Sequence, residues 1–154
     1  DVVIGGVGFP KDSNLYQASR APSYIFFAPT PVLKKGGVLI TPARCEEGAG
    51  KGVGEQRFYE EMRSAPNMSA LLHKMRQEGY QPGAQRAFVM AKVMDVNPVV
   101  IVGAEFPDIV RETKMIPAQT IKEALGFAVK HIGSPDLDVL IIPHALLTLP
   151  FVQD

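Results

Sequence analysis

The sequence predicts an α/β fold, a single layered domain with a mostly parallel sheet flanked by helices. Three observations carry that expectation. Four short runs, residues 2–4, 38–40, 99–102 and 139–142, consist of Val, Ile and Leu. They lack the in-out alternation of a strand wetted on one face, so they read as strands buried on both faces, as parallel pairing under helices requires. Between them stand segments with apolar residues at helical spacing, and strands alternating with helices imply layers. Finally, 154 residues suit one domain rather than two, and a chain of this size buries roughly 70% of its unfolded surface, enough for one core.

The first strand runs into IGGVGFPKDSN. Glycines after a strand can cradle a phosphate at a helix N-terminus, but a dinucleotide fingerprint needs a tight turn straight into the helix. Here Pro10, Lys11 and Asp12 intervene, which leaves a glycine-rich loop with Asp12 or Asn14 capping the next helix. That helix begins near Asn14 and runs past Arg20, and Pro22 must truncate or kink it unless it lies in a first turn. Pro29 and Pro31 stop any continuation. Within it Tyr16, Gln17 and Arg20 share one face, three and four residues apart. An aromatic plane, an amide and a guanidinium together suit a small hydroxy acid, because the fork binds a carboxylate bidentately and the amide bonds a hydroxyl. The same spacing also describes a solvated helix face.

After the second strand, EGAGKGVGE places Gly50 and Lys51 as a phosphate loop would. Cys45 and Gly52 stand where that motif needs its first glycine and its hydroxyl, so the segment reads as a loop at a strand end, where α/β folds often put binding residues. A short helix carries Phe58 and Met62. Met68, Leu71, Leu72 and Met75 mark another, stopped by Gly79. Pro82 suits the first turn of a third, with Ala84, Ala87, Phe88 and Ala91 inward. The clearest helix follows Thr120, which forms a capping box with Glu123. Ile121, Ala124, Leu125, Ala128, Val129 and Ile132 form its buried stripe, Gly133 ends it and Pro135 prevents resumption.

Sixteen basic and sixteen acidic side chains cancel, which removes the electrostatic case for nucleic acid or an anionic membrane as partner. The longest nearly uncharged stretch, 139–152, is broken by Pro143 and Pro150 and is too short for a bilayer. One cysteine cannot form an internal disulfide, and no signal peptide precedes the first strand, so a cytoplasmic location is expected. The opening DVVIGG has neither Met nor polar lead-in and reads as the start of a fragment of a longer soluble polypeptide. The three histidines do not cluster, and no metal motif is present. His144, after the last strand, is the one with a site-like address, and Cys45 beside Arg44 is a weak nucleophile candidate.

Taken in order, several of these pieces form a pattern. They are Gly8-Phe9-Pro10-Lys11-Asp12, Asn14-Leu15-Tyr16-Gln17, Lys35-Gly36-Gly37 and Cys45-Glu46-Glu47-Gly48, followed by GAQRAFVMAKVM, TIKEAL and IPHALLTLP. Over essentially its whole length the chain resembles the C-terminal domain of the nickel-pincer lactate racemase family. The resemblance implies an isomerase, a racemase or epimerase of 2-hydroxy acids. In this family a nickel-pincer nucleotide takes the substrate's C2 hydride and returns it to either face. The histidines that move protons and ligate the metal, and the lysine tethering the pincer, belong to an N-terminal catalytic domain absent from residues 1–154. By this resemblance the fragment is inactive alone, holds no catalytic residue, and has that N-terminal domain and a small 2-hydroxy acid as partners.

Carried over by position, the resemblance makes Tyr16, Gln17, Arg20 and Lys11 substrate-binding: Tyr16 packs on substrate or pincer, Gln17 bonds the substrate and Arg20 takes its carboxylate. Arg20 stands where the lactate enzyme has a lysine, a change from a point donor to a bidentate fork. The chain also lacks the tryptophan that enzyme places near the segment here reading Gly83-Ala84-Gln85-Arg86. Both departures point away from lactate itself, toward a different or larger acid. Two other expectations compete: a non-catalytic relative that binds a small carboxylate or mediates assembly, and a free-standing nucleotide-binding domain.

Overall fold

A computed structural model describes residues 1–150. The sheet is parallel throughout, with the order β4-β3-β2-β1-β5. Its strands are β1 (Val2–Gly5), β2 (Val38–Pro42), β3 (Val99–Val102), β4 (Ile116–Ala118) and β5 (Val139–Ile142). The four apolar runs are four of these strands. The fifth, β4, contains Pro117 and spans only three residues, too short and too broken for a periodic signal. The uncharged stretch read through Val152 extends past the described residues.

From β1 the chain steps to β2, β3 and β4 in one direction, then returns to place β5 on the far side of β1. The outward steps are made by α1 (Leu15–Ala18), α2 (Arg20–Phe26), α3 (Val53–Ser64), α4 (Met68–Glu78), α5 (Gln85–Met94) and α6 (Pro107–Glu112). These contribute to one apolar cluster that includes Val3, Leu39 and Ile101. The return is made by α7 (Ile121–Ile132), which packs on the opposite face against Val2, Ile40 and Val100. Reversing both direction and face keeps every crossover of one hand, as a twisted parallel sheet requires. The reversal also makes the carboxyl ends of β1 and β5 a switch point, where open α/β sheets bind ligands. There Gly6 accepts Ala145 N–H at 2.9 Å, and a Cβ on Gly6 would lie 2.3 Å from the Pro143 carbonyl oxygen.

α7 covers β2, β3 and β4 but reaches β5 poorly, so Val139 and Ile141 stay exposed. The caps explain where helices begin. Asn67 Oδ1 accepts Ala70 N–H at 2.8 Å and Thr120 Oγ1 accepts Glu123 N–H at 3.1 Å. The reciprocal half of the expected capping box falls one residue early, with Glu123 accepting Gln119 N–H at 2.7 Å. Gly133 takes the left-handed conformation that ends α7. The helix after Gly79 differs from expectation: it starts at Gln85, so Pro82 lies in the preceding turn. Its buried residues are Ala87, Met90, Ala91 and Val93. Phe88 is partly buried against the same core, as expected, and stacks on Tyr80 at 5.8 Å. Gly83 (φ +94°) touches Gly54 so closely that a Cβ would sit 2.7 Å from its Cα, which pins the start of α5 against α3.

Candidate functional site

The loops leaving β1 and β2 are stitched together by backbone hydrogen bonds. Cys45 N–H donates to Asp12 O at 2.8 Å, Glu47 N–H to Ser13 O at 2.9 Å and Leu15 N–H to Gly48 O at 2.8 Å. Asn14, almost fully buried, completes the clamp. Its Oδ1 caps α1 by accepting Gln17 N–H at 3.0 Å, while Nδ2 donates to Glu47 Oε2 at 3.2 Å and Glu55 Oε1 at 3.3 Å. Of the two caps the sequence allowed, Asn14 is the one used.

The single helix expected from Asn14 past Arg20 is two. Ser19 separates α1 from α2, and Pro22 falls in the first turn of α2, where its missing N–H costs nothing. Ser19 itself stays right-handed (φ −61°, ψ −8°) and its Oγ donates to Tyr16 O at 2.7 Å. The side chains therefore keep the angular spacing of one helix across the break. Arg20 Nε donates to Gln17 Oε1 at 2.9 Å, and the Arg20 guanidinium lies 5.8 Å from the Tyr16 ring centroid. Tyr16 is fixed from below by the buried ring of Phe58, edge to face at 5.7 Å. Three of the four residues expected to bind substrate thus meet. Lys11 is exposed in the preceding turn, and among the described residues no hydrogen bond or ion pair joins its side chain to the other three.

A residue that sequence reading did not single out joins them. Arg86, in the first turn of α5, places its guanidinium 5.9 Å from the same Tyr16 centroid. Its Nη1 donates to Ser23 Oγ at 2.9 Å and to Ser19 O at 3.5 Å. Burial, followed by the like charge of Arg20, pulls the Arg86 pKa down. Arg86 also lines a mostly apolar groove of about 560 Å³ with Ser23, Tyr24, Phe27, Val89 and Leu147. No local signal marks it, because its partners lie more than sixty positions away.

The remaining candidates behave differently. Cys45 is buried with φ +48°, and burial, then Asp12 and Glu46, push its pKa up to about 12. A thiol held protonated is a poor nucleophile. Asp12 Oδ1 and Glu46 Oε2 are buried beside it without hydrogen-bond partners. His144 is exposed after β5, and its carbonyl accepts Leu147 N–H at 3.0 Å. His131 stacks on Phe127 at 5.6 Å and its Nε2 lies 3.1 Å from Gly36 O. His73 is exposed on α4. Among the described residues no group of three or more His, Cys, Asp or Glu side chains converges as metal ligands, and no helix is long and apolar enough to cross a membrane.

The whole run from β1 through β5 and the turn after it, residues 1–148, matches the family model of the lactate racemase C-terminal domain. The chain belongs to that family. It is 29% identical over 147 residues to the lactate racemase of Thermoanaerobacterium thermosaccharolyticum, covering 94% of this chain and 33% of that protein. The structure of the lactate racemase apoprotein from the same organism superposes with a TM-score of 0.79 at 24% identity, covering 99% of this chain and 35% of that one. This member of the family therefore spans about a third of the length of the relatives it matches. The shared fold is the five-stranded parallel sheet flanked by helices, and the clamp that presents Tyr16, Gln17 and Arg20 is built on it.

Proposed function

We propose that this lactate racemase C-terminal domain binds and orients the substrate of a racemase or epimerase of 2-hydroxy acids. One observation carries the reading: Arg20 is held by Gln17 against Tyr16 without a carboxylate partner among the described residues. Because Arg20 spends its Nε on Gln17, its two Nη groups are left as a fork for a substrate carboxylate. Because Gln17 spends its Oε1 on Arg20, its amide NH₂ is left to donate to the hydroxyl oxygen beside that carboxylate. Tyr16 forms the apolar floor on which the acid lies. The pair fixes C1 and the C2 oxygen, and so the direction in which C2 presents its hydrogen.

The nickel-pincer nucleotide does not fit a ligand set in this chain, whose described residues offer no converging metal ligands. We assign it, and the hydride exchange at C2, to the N-terminal region of the same polypeptide, a partner that the one-third coverage supports. The domain's own part is binding, orientation and exclusion of water when it meets that region. Its one cysteine, a free and buried thiol, supports a cytoplasmic setting.

The test is the full-length polypeptide coexpressed with its cofactor-building enzymes, measured for nickel, for visible absorption and for racemisation across a panel of 2-hydroxy acids. Nickel, a pincer chromophore and racemisation of at least one acid are expected. A protein without chromophore that racemises none of them is instead a non-catalytic carboxylate-binding or assembly domain.

A further inference from the structure

The two edges of the sheet are built differently. β4, at one edge, is three residues long, carries Pro117 and is packed by α6. Shortness, proline and a covering helix are the usual ways an edge is closed to further pairing. β5, at the other edge, reads Val139-Leu140-Ile141-Ile142, without charge, proline or bulge. Among the described residues it pairs with β1 alone. Its first three residues are 42%, 40% and 63% exposed.

The register shows what kind of neighbour is missing. Val139 and Ile141 stand beside Val2 and Ile4, on the α7 side of the sheet, and Leu140 stands beside Val3 on the opposite side. Apolar side chains are therefore uncovered on both faces of one strand. A helix laid on either face would cover one set and leave the other, whereas a further strand alongside β5 gives both a cross-strand neighbour. The backbone agrees. Val2 N–H donates to Asp138 O at 3.0 Å and Gly6 N–H to Ile142 O at 2.9 Å. By the two-residue alternation of a strand, Leu140 also turns its backbone groups to β1, while Val139 and Ile141 turn theirs to the open side.

We propose that an extended segment of the N-terminal region pairs with β5 as a sixth strand of this sheet. This rests on the reading above that such a region belongs to the same polypeptide, and goes beyond it by naming the contact. The chain covers 33% and 35% of the two relatives it matches, so those polypeptides have ample further length to supply a strand. A second copy of this chain suits the edge less well. Four residues at about 3.3 Å each make an edge only about 13 Å long. That is small against the roughly 1,200–2,000 Å² that a stable interface between separate molecules buries. A tethered strand needs far less area, because linkage makes the pairing intramolecular. β5 adjoins β1, and the loop after β1 leads to Tyr16, so this joint sets where the substrate grip stands relative to the N-terminal region.

The experiment is residue-resolved amide hydrogen exchange on the full-length polypeptide, with sedimentation velocity at the same concentration. The Val139 and Ile141 amides should exchange at least a hundredfold more slowly than unstructured amides, as those of Leu140 and Ile142 do. In Ile141→Lys, which sets a charge in the joint, protection at Val139 should fall at least tenfold while Leu140 and Ile142 keep theirs through β1. A photo-crosslinking side chain at position 141 should be captured by one segment of the N-terminal region. Fast exchange at Val139 and Ile141 beside slow exchange at Leu140 and Ile142 leaves the edge open and overturns the inference, with the racemase reading intact. Protection that appears only where sedimentation reports a dimer, or crosslinks confined to residues 1–154, assigns the edge to another occupant and overturns it too. If the full-length polypeptide carries no N-terminal region, the two-part racemase reading fails and this inference falls with it.

Discussion

Arg20 Nε donates to Gln17 Oε1 at 2.9 Å across Ser19, the residue that separates α1 from α2. That bond couples the last turn before the break to the first turn after it. It therefore sets which donors each side chain has left. Arg20→Ala in the full-length protein should raise KM about ten- to a hundredfold, the equivalent of a charge-assisted hydrogen bond of roughly 1.5–3 kcal/mol. Cofactor loading, read from visible absorption, should change little. Steady-state kinetics with unchanged KM would remove Arg20 from the site.

Gln17→Leu tests the coupling rather than the charge. Arg20 keeps its fork but loses its tether, and the substrate hydroxyl loses its amide donor. A smaller rise in KM than for Arg20→Ala is expected. The double variant should be less than additive, because both single changes disturb the same grip. A double-mutant cycle in binding free energy measures it, and strict additivity would mean that the 2.9 Å bond does not organise the site.

Asn14 carries the clamp beneath them. Asn14→Ala removes the cap of α1 and both donors to Glu47 and Glu55, and should cost about 1–3 kcal/mol in urea unfolding. Asn14→Asp keeps the cap but sets a carboxylate against two others, so it should not restore stability. Full recovery by Asp would show that the cap alone matters.

Gly5 and Gly6 stand next to each other at the end of β1 yet should respond differently to alanine. At Gly5 the first atom met is Ile25 Cδ1 at 2.6 Å, the tip of a flexible side chain. At Gly6 it is the Pro143 carbonyl oxygen at 2.3 Å, which cannot move without shifting the turn after β5. Gly6→Ala should cost more than about 2 kcal/mol and Gly5→Ala less, by the usual range for overpacking. Equal denaturation midpoints for the two would contradict the geometry.

Cys45 makes stability depend on pH on the alkaline side. Its folded-state pKa is about 12, above the unfolded value, so the folded protein keeps a proton that the unfolded chain releases. The stabilisation is complete below the unfolded pKa and is lost as pH rises from about 9 toward 12. Unfolding midpoints should fall more steeply between about pH 8.5 and 10, around the unfolded thiol pKa, in the parent than in Cys45→Ala. Parallel pH profiles would show that Cys45 is not the group responsible.

How much of this was legible in the sequence can be read from particular residues. The runs 2–4, 38–40 and 99–102 announced three strands because burial on both faces leaves no room for polar residues, and 139–142 announced β5 by its Val, Leu and Ile content although Val139, Leu140 and Ile141 stay exposed. Thr120 and Gly133 announced the ends of α7 because capping is local chemistry. Tyr16, Gln17 and Arg20 were legible as one face because four residues of nearly helical backbone suffice to align them, break or no break. β4 and α6 were too short to leave a period.

Residue pattern alone determined the alternation of strands and helices and the Tyr16-Gln17-Arg20 face, since each depends on neighbours within a few positions. Only the tertiary structure decided that Arg86 shares that face, that Lys11 stands apart from it and that Cys45 is an inert buried thiol. Those are properties of distance and solvent access. They arise when loops from β1 and β2 and the start of α5 are brought together across the sheet, and nothing in local spacing encodes that approach.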